Sequence, residues 1–178
     1  DFDDPRSKLF FEFVRLMDET KPRWFLLENV RMKQESQDII SRYLGVQPQE
    51  INSSLVSAQN RKRLYWTNIP FTVPEDRGIM LKDIIEDGLV DRDKAHCLDA
   101  NYHKGGNLKI YFEKSRRQLV FSNKDYLEWR KLTPLECERL QTVPEGYTAH
   151  VSNTQRYKML GNGWTVDVVA HIFKNLGA

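Results

Sequence analysis

The residues of this chain best suited to chemistry are Glu28 and Asn29, which follow the bulky apolar run Trp24–Leu27. A continuous apolar run is typical of a strand that is covered on both faces in a parallel sheet. In open α/β sheets, ligands bind beyond the carboxyl ends of the strands. The pattern therefore predicts that Glu28 and Asn29 lie at a binding crevice, where chemistry could take place. Charged residues are also common at strand ends, so a structural carboxylate is the alternative.

A second group of candidate residues is Gln59, Arg61 and Arg63. Arg61 and Arg63 are two residues apart, so on an extended segment their side chains point to the same side. Arginine keeps its charge and offers a planar fork of donors, which suits it to holding a substrate oxygen or a phosphate. A basic turn before a strand over 64–69 is the alternative, and it explains Lys62 better than it explains the two arginines.

The elements before residue 70 alternate between helix and strand, which favours an α/β layer, and only its second half. They are helices over 6–20 and 36–44, and strands over 24–30, 50–57 and 64–69. From about residue 70 the segments become short, and we expect a small separate lobe with a short helix near 81–86 and a hairpin over about 108–121. Helices return after residue 129. Thr133 begins the first with Pro134 and Glu136 as a capping box. Ser152 begins a second, and Thr165 a last one through residue 176, with its apolar side chains facing the core.

Composition excludes several classes of protein. The 178 residues carry a net charge of +2, with 40% hydrophobic and 29% charged residues, which fits an ordinary cytoplasmic domain. No apolar run is long enough to span a membrane, and no signal-peptide pattern is present. Cys97 and Cys137 lie outside any metal-ligand spacing, so we expect two reduced thiols and no metal site.

One segment is strongly basic. Between residues 101 and 124, six lysines and arginines stand against Glu113 alone, with tyrosines and phenylalanines between them. This composition suits a polyanionic partner, and a solvated basic hairpin is an equal alternative.

Four patches in sequence order now identify a family. They are Glu28-Asn29-Val30, Gln59-Asn60-Arg61-Lys62-Arg63, the stretch from Arg130 to Gln141 (RKLTPLECERLQ), and Gly161-Asn162-Gly163 with the residues that follow. Together they resemble the C-terminal half of the DNA cytosine-5 methyltransferases of bacteria and phages, a class found in restriction-modification systems. The resemblance implies the second half of a Rossmann-like domain over 1–69, a target-recognition lobe over 70–128, and C-terminal helices over 129–178.

The resemblance also implies roles for individual residues. Glu28 would contact the N3/N4 edge of a flipped cytosine, Arg63 its O2 atom, and Arg61 the catalytic loop or a phosphate, with Asn29 and Gln59 in support. The methyl donor would be S-adenosylmethionine, with Asn162, Trp164 and Val166 on its side of the site. Gly163 stands where a small serine or alanine is expected. Double-stranded DNA would be bound by Lys104, Lys109, Lys114, Arg116, Arg117 and Arg139.

The nucleophile of such an enzyme is a cysteine in a Pro-Cys loop, and neither cysteine here has that context. We therefore expect the chain to be inactive alone, and to need a complementary N-terminal half from the same polypeptide or from a separate subunit. That half would also cover an apolar sheet edge near residues 24–30. Two alternatives remain: a non-catalytic DNA-binding homologue, and a member of the branch that methylates tRNA.

Overall fold

The structure is a computed structural model that describes residues 8–176. Its helices and strands, in chain order, are α1 (Lys8–Thr20), β1 (Leu26–Val30), α2 (Gln34–Leu44), β2 (Gln49–Asn52), β3 (Lys62–Thr67), α3 (Leu108–Lys114), β4 (Leu119–Phe121), β5 (Trp129–Lys131), α4 (Pro134–Leu140), α5 (Asn153–Asn162) and α6 (Val166–Phe173). The chain divides into two compact units. Among the described residues, unit 1 comprises 8–51, Lys62–Thr72 and 172–176. Unit 2 comprises Asn52–Arg61 and Val73–His171.

Unit 1 contains a three-stranded sheet in the order β1-β3-β2, with α1 and α2. The predicted helices and the strand near residue 26 are present, and α2 ends at Gly45, whose φ of 69° lies in the left-handed region that favours glycine. The core is formed by Ile40, Leu44, Leu64 and Trp66 with partly buried side chains of α1. The Trp66 indole donates a hydrogen bond to the Ser41 hydroxyl at 2.9 Å, so its polar atom is satisfied inside the core.

Three details of the prediction for this strand are wrong. β1 is paired antiparallel with β3, and its residues are half-buried or exposed instead of fully covered. An apolar run does not encode the direction of the neighbouring strand. Glu28 and Asn29 also lie within β1, opposite Tyr65 and Leu64, and not beyond its end. β1 is an edge strand of the sheet formed by residues 8–176.

Unit 2 is built from short segments, and its prediction was only partly correct. The predicted hairpin over 108–121 is wrong, because residues 108–114 form α3. The Asn107 side chain accepts a hydrogen bond from the Ile110 backbone N–H at 2.8 Å and begins this helix. The hairpin lies further along the chain, where β4 pairs antiparallel with β5. The helix expected near 81–86 is a single 3-10 turn, Leu81–Asp83, and the strand expected over 50–57 gives way to a second such turn at Ser53–Leu55.

The last three helices follow the predicted starting points. Thr133 and Glu136 form the capping box, and Ser152 accepts from the backbone of Gln155. The last helix, α6, departs from the prediction at its ends, since Val166 and Phe173 are each 41% exposed while its central valines are buried. A main core unites the 3-10 turn at residue 81, α4 and α5.

No helix in the described part of the chain is long and apolar enough to cross a bilayer. Between residues 8 and 176, no group of three or more His, Cys, Asp or Glu side chains could hold a metal ion.

Candidate functional site

Glu28 and Arg63 form an ion pair on one face of the unit 1 sheet. Glu28 is directly opposite Tyr65 in the β1–β3 ladder, and Arg63 precedes Tyr65 by two residues, so the two charged side chains are diagonal neighbours on the same face. Arg63 Nε lies 2.9 Å from Glu28 Oε1, and the side chains are only 15% and 17% exposed. The register of β1 against β3 thus brings Glu28 and Arg63 into contact, although they are 35 positions apart in the sequence.

This pair places a carboxylate beside a guanidinium, both half-shielded from water. Such a pair could hold a planar ring that has a nitrogen and a carbonyl oxygen on one edge. The carboxyl group can form a hydrogen bond with the nitrogen, and the guanidinium can donate hydrogen bonds to the oxygen. Arg63 also donates to the Lys62 carbonyl at 2.9 Å, which fixes its orientation. The Asn29 side-chain oxygen accepts from the Val30 backbone N–H at 2.8 Å, so Asn29 is engaged with the strand.

Arg61 has a different environment. It is 4% exposed, and its guanidinium lies in the interior of unit 2. It donates to the carbonyls of Leu98 and Gly163, each at 2.8 Å, and to the Gly161 carbonyl at 3.3 Å. Arg61 therefore joins the segment at residue 98 to the glycine motif at the end of α5.

Two buried glutamines extend this connection. Gln59 donates to the Leu140 carbonyl at 2.7 Å and to the Gln141 side-chain oxygen at 2.9 Å. Gln141 donates to the Gly163 carbonyl at 3.2 Å and to the Leu160 carbonyl. Three of the four sequence motifs are thus held together by one network of buried polar side chains, each with a partner.

The residues predicted on the cofactor side alternate with residues that this network holds in place. Asn162, Trp164 and Val166 are exposed, whereas Thr165 between them is 1% exposed and donates its hydroxyl to Gln141 Oε1 at 3.0 Å. The Val166 backbone N–H also donates to the Gln141 carbonyl at 2.9 Å. The stretch from the end of α5 to the start of α6 therefore exposes an amide, an indole and an isopropyl group.

The six residues predicted to bind DNA fall into two sets. Lys104, Lys109 and Lys114 are exposed, and no salt bridge between described residues involves them. The three arginines are engaged within unit 2. Arg116 pairs with an aspartate at 3.0 Å, Arg117 donates to a glycine carbonyl at 2.6 Å, and Arg139 donates to a glutamate at 2.7 Å and to a carbonyl at 2.8 Å.

The two cysteines are free thiols in different surroundings. Cys137 is fully buried in the main core of unit 2, and burial raises its pKa well above the usual value. A buried neutral thiol is a poor nucleophile. Cys97 is half-buried, with its sulfur 3.4 Å from Arg61 Nη1.

Sequence reasoning named the motifs that contain Gln141 and Gly161, but it did not give Gln141 a role or find the partners of Glu138. Gln141 ends the stretch that begins at Arg130, and its place after α4 pairs it with Gln59. The small residue at Gly161 allows a close backbone approach, since a Cβ atom there would lie 2.3 Å from the Asp99 carbonyl group. Glu138 is completely buried and accepts from Gly146, Thr148 and Arg156.

Glu138 keeps its charge for a clear reason. Burial acts to raise its pKa, but the hydrogen bonds from Thr148, Gly146 and Arg156 outweigh burial and lower the pKa below the usual value. On the same helix, Glu136 is also buried and accepts from the Arg130 guanidinium through both carboxylate oxygens, at 2.8 and 2.9 Å. Through these hydrogen bonds, the two carboxylates hold α4 against the segments that contain Arg130, Gly146, Thr148 and Arg156.

Comparison with known proteins connects this arrangement to one family. The type II methyltransferase M2.ScrFI of Lactococcus lactis subsp. cremoris is 28% identical over 211 residues, covering 96% of this chain and 59% of the relative. M.HhaI of Haemophilus parahaemolyticus is 23% identical, covering 99% of this chain and 70% of the relative. The chain spans less than two thirds of the length of M1.ScrFI, M2.ScrFI and M.SsoII.

Solved structures agree on the fold. The methyltransferase EhMeth of Entamoeba histolytica superposes with a TM-score of 0.71 at 16% identity, covering 99% of this chain and 71% of its own. The Dnmt2 methyltransferase of S. pombe gives a TM-score of 0.65 at 17% identity, covering 99% and 76%. The mixed α/β architecture is thus that of a methyltransferase. The sequence profile of the C-5 cytosine-specific DNA methylases matches residues 1–69 and 33–178, and the chain belongs to that family.

Proposed function

We propose that this chain supplies the target-base half of a DNA cytosine-5 methyltransferase, with the Rossmann-like half-domain and recognition lobe that the sequence motifs imply. The reaction transfers a methyl group from S-adenosylmethionine to C5 of a cytosine that has been extruded from the duplex. The observation that carries the proposal is the Glu28–Arg63 ion pair, half-shielded on one face of the sheet. Family membership and the union of three motifs in one buried network support it.

The chemistry requires the two groups of this pair. When a thiolate adds to C6, electron density moves through the ring toward N3 and O2, which opposes the attack unless a neighbour neutralises it. The carboxyl group of Glu28 forms hydrogen bonds with the N3/N4 edge of the cytosine, where it shares or donates a proton. The guanidinium of Arg63 keeps its charge and donates a hydrogen bond to O2. Asn29, bonded to its own strand, keeps Glu28 in register.

Gln59 and Arg61 act as positioning residues in this proposal. Arg61 is 4% exposed and bonded to three carbonyls, which suits a residue that orders neighbouring segments more than one that grips a phosphate. Gln59 is fully buried and bonded to the end of α4. Together they hold the segment that leads into β3, on which Arg63 lies.

We assign the cofactor side to the stretch from the end of α5 to the start of α6. The exposed indole of Trp164 and amide of Asn162 suit the adenosyl and methionine groups of the methyl donor, and Val166 adds apolar surface. S-adenosylmethionine supplies the methyl group on its sulfonium. Gln141 fixes the backbone of this segment, so the three side chains are held outward.

The nucleophile has to come from elsewhere, because Cys137 is buried and Cys97 lacks the Pro-Cys context. We assign it to a complementary N-terminal half, in the same polypeptide or in a separate subunit. That half would also pair with the edge strand β1. Double-stranded DNA is the proposed substrate, contacted on its phosphates by exposed lysines such as Lys104, Lys109 and Lys114.

The test is reconstitution. The purified chain is mixed with an N-terminal half that contains the Pro-Cys loop of a type II relative, and transfer of a radiolabelled methyl group is followed on duplex DNA and on tRNA. We expect transfer to DNA by the mixture and none by the chain alone. Transfer only to tRNA would assign the substrate to the tRNA branch. Sequence-dependent DNA binding without transfer, in a mixture shown to associate, would favour the non-catalytic homologue.

A further inference from the structure

The turn that precedes Gln59 cannot satisfy its own last carbonyl groups. It is the 3-10 turn Ser53–Leu55, closed by a hydrogen bond from the Val56 backbone N–H to the Ser53 carbonyl at 3.0 Å. A helical turn this short leaves the carbonyls at its end without partners inside the turn. Donors from another part of the chain therefore have to hold it in place.

Lys94 supplies such donors. Its side chain is half-buried, and its ammonium donates to the carbonyls of Ser54 at 2.7 Å, Ser57 at 3.1 Å and Ile79 at 2.6 Å. A lysine ammonium has three N–H donors, so these carbonyls use all of them. Hydrogen bonds from a charged group are stronger than those from a neutral one. Lys94 thus joins the turn to the segment at residue 79.

The residue after Lys94 continues along the motif that begins at Gln59. Ala95 donates its backbone N–H to the Ala58 carbonyl at 2.7 Å and accepts from the Asn60 backbone N–H at 2.9 Å. These two hydrogen bonds form a parallel bridge between Gln59 and Ala95. The backbone of the motif is therefore held directly beside Lys94.

The same segment also contacts the side chains of the motif. Leu98 donates its backbone N–H to Gln59 Oε1 at 3.3 Å, and its carbonyl accepts from the Arg61 guanidinium at 2.8 Å. Gln59 in turn donates to Gln141 at 2.9 Å, and Arg61 donates to the Gly163 carbonyl at 2.8 Å. A displacement of the turn would therefore be passed to the stretch to which the cofactor side is assigned.

We propose that Lys94 is a positioning residue for methyl transfer, which acts through Gln59 and Arg61 by fixing the backbone that leads into them. Lys94 lies outside the four sequence motifs. This inference rests on the proposed function, because it needs a methyl-transfer reaction on which to act. A misplacement of about 1 Å by a residue far from the chemistry can cost about 10²-fold in rate, so the loss of this support is measurable.

The kinetic test is methyl transfer to duplex DNA by the reconstituted mixture. Lys94→Met keeps the length of the side chain and removes the ammonium donors. We expect the rate at saturating DNA and methyl donor to fall at least about tenfold, within the loss of about 10²-fold that a small misplacement causes. The KM for DNA should change less than about threefold, roughly the effect of a fraction of one hydrogen bond, because Lys94 donates to carbonyls of its own chain.

The matched control is Lys82→Met. Lys82 is exposed on the 3-10 turn Leu81–Asp83, also in unit 2, and its replacement removes the same charge. This variant should leave the rate unchanged. If Lys94→Met lacks the wild-type circular dichroism spectrum, Lys94→Gln and Lys82→Gln replace the two variants, with the same expected difference in rate.

Amide hydrogen exchange on the full chain gives a second readout that requires no activity. Lys94→Met should speed exchange at the backbone N–H groups of Val56, Asn60 and Arg61 about tenfold or more, the ratio that corresponds to the loss of one hydrogen bond from a charged group. The amides of α2, which belongs to unit 1, should exchange as in the wild type.

The outcomes distinguish this inference from the proposed function. An unchanged rate in Lys94→Met, or an equal loss in Lys82→Met, overturns the positioning role, while methyl transfer by the wild-type mixture still supports the enzyme. A purely structural role would speed the exchange and leave the rate at saturation unaltered. Unchanged exchange at Val56, Asn60 and Arg61 also overturns the inference. If the wild-type mixture associates and transfers no methyl group, the proposed function fails and this inference falls with it.

Discussion

Replacement of Arg61 by lysine tests whether the buried network holds unit 2 together. The guanidinium makes two 2.8 Å bonds to carbonyls on separate segments, at Leu98 and Gly163. A lysine ammonium is compact and can serve one of these segments, which leaves a buried carbonyl without its charged donor. A hydrogen bond from a charged group contributes about 1.5–3 kcal/mol, and an unsatisfied buried acceptor adds about 1–3 kcal/mol. We therefore expect Arg61→Lys to lower the free energy of unfolding by about 3 kcal/mol.

The assay is urea unfolding followed by far-ultraviolet circular dichroism. With a slope of about 2 kcal/mol per molar urea, a loss of 3 kcal/mol moves the midpoint down by about 1.5 M. The matched control is Arg116→Lys, which alters an ion pair with Asp99 whose arginine side chain is 55% exposed. Because exposed pairs contribute about 0–1 kcal/mol, the control midpoint should move by less than about 0.5 M. Equal shifts for the two variants would refute the reasoning.

Three further predictions concern unit 2. Gly161→Ala should lower the free energy of unfolding by about 1–3 kcal/mol or more, because its Cβ would lie 2.3 Å from backbone atoms, and by more than Gly163→Ala, whose nearest contact is 3.1 Å; similar urea midpoints would contradict the close approach. Glu138 has a lowered pKa, so its stabilising contribution is present above the unfolded-state pKa of about 4.3 and is lost as the pH falls through the lower folded value. Glu138→Gln should therefore reduce the pH dependence of stability below about pH 4.3, and an unchanged dependence would refute this. In the native chain a thiol reagent should modify Cys97 well before Cys137, as read by mass spectrometry of the peptides, and equal rates would show that the second thiol is not sealed in the core.

Local chemical signals predicted α1, α2 and α4 to α6, but not α3. The capping box at Thr133 and the glycine that ends α2 each require only a few neighbouring residues, so the sequence alone specifies them. The direction of β1 could not be predicted in this way, because an apolar run looks the same in parallel and antiparallel sheets. The predicted hairpin over 108–121 is wrong at residues 108–114, because the Asn107 side chain caps a helix there and Tyr111 is buried on that helix.

The residues of the candidate site could likewise be predicted from the sequence only in part. The resemblance to a family led to Glu28 and Arg63, and strand register explains why residues so far apart in sequence form an ion pair. The environment of Arg61 could not be predicted, because its partners are backbone carbonyls that are provided by distant segments. The role of Gln141 could not be predicted either, because the hydrogen bonds of a buried amide leave no periodic pattern in a sequence.

The central claim is that Glu28 and Arg63 act together on one pyrimidine, and the rate of methyl transfer in the reconstituted mixture tests it most directly. At saturating DNA and methyl donor, Glu28→Gln and Arg63→Met should each lower the rate by about 10²–10⁴-fold, the usual contribution of proton transfer and charge neutralisation at a reacting group. The dissociation constant for DNA should change less than threefold, roughly the effect of a fraction of one hydrogen bond. The matched control is Glu50→Gln, which removes a carboxylate that pairs with Arg31 elsewhere in unit 1, and it should leave the rate unchanged. A rate in the Glu28 or Arg63 variant equal to that of the control would contradict the account.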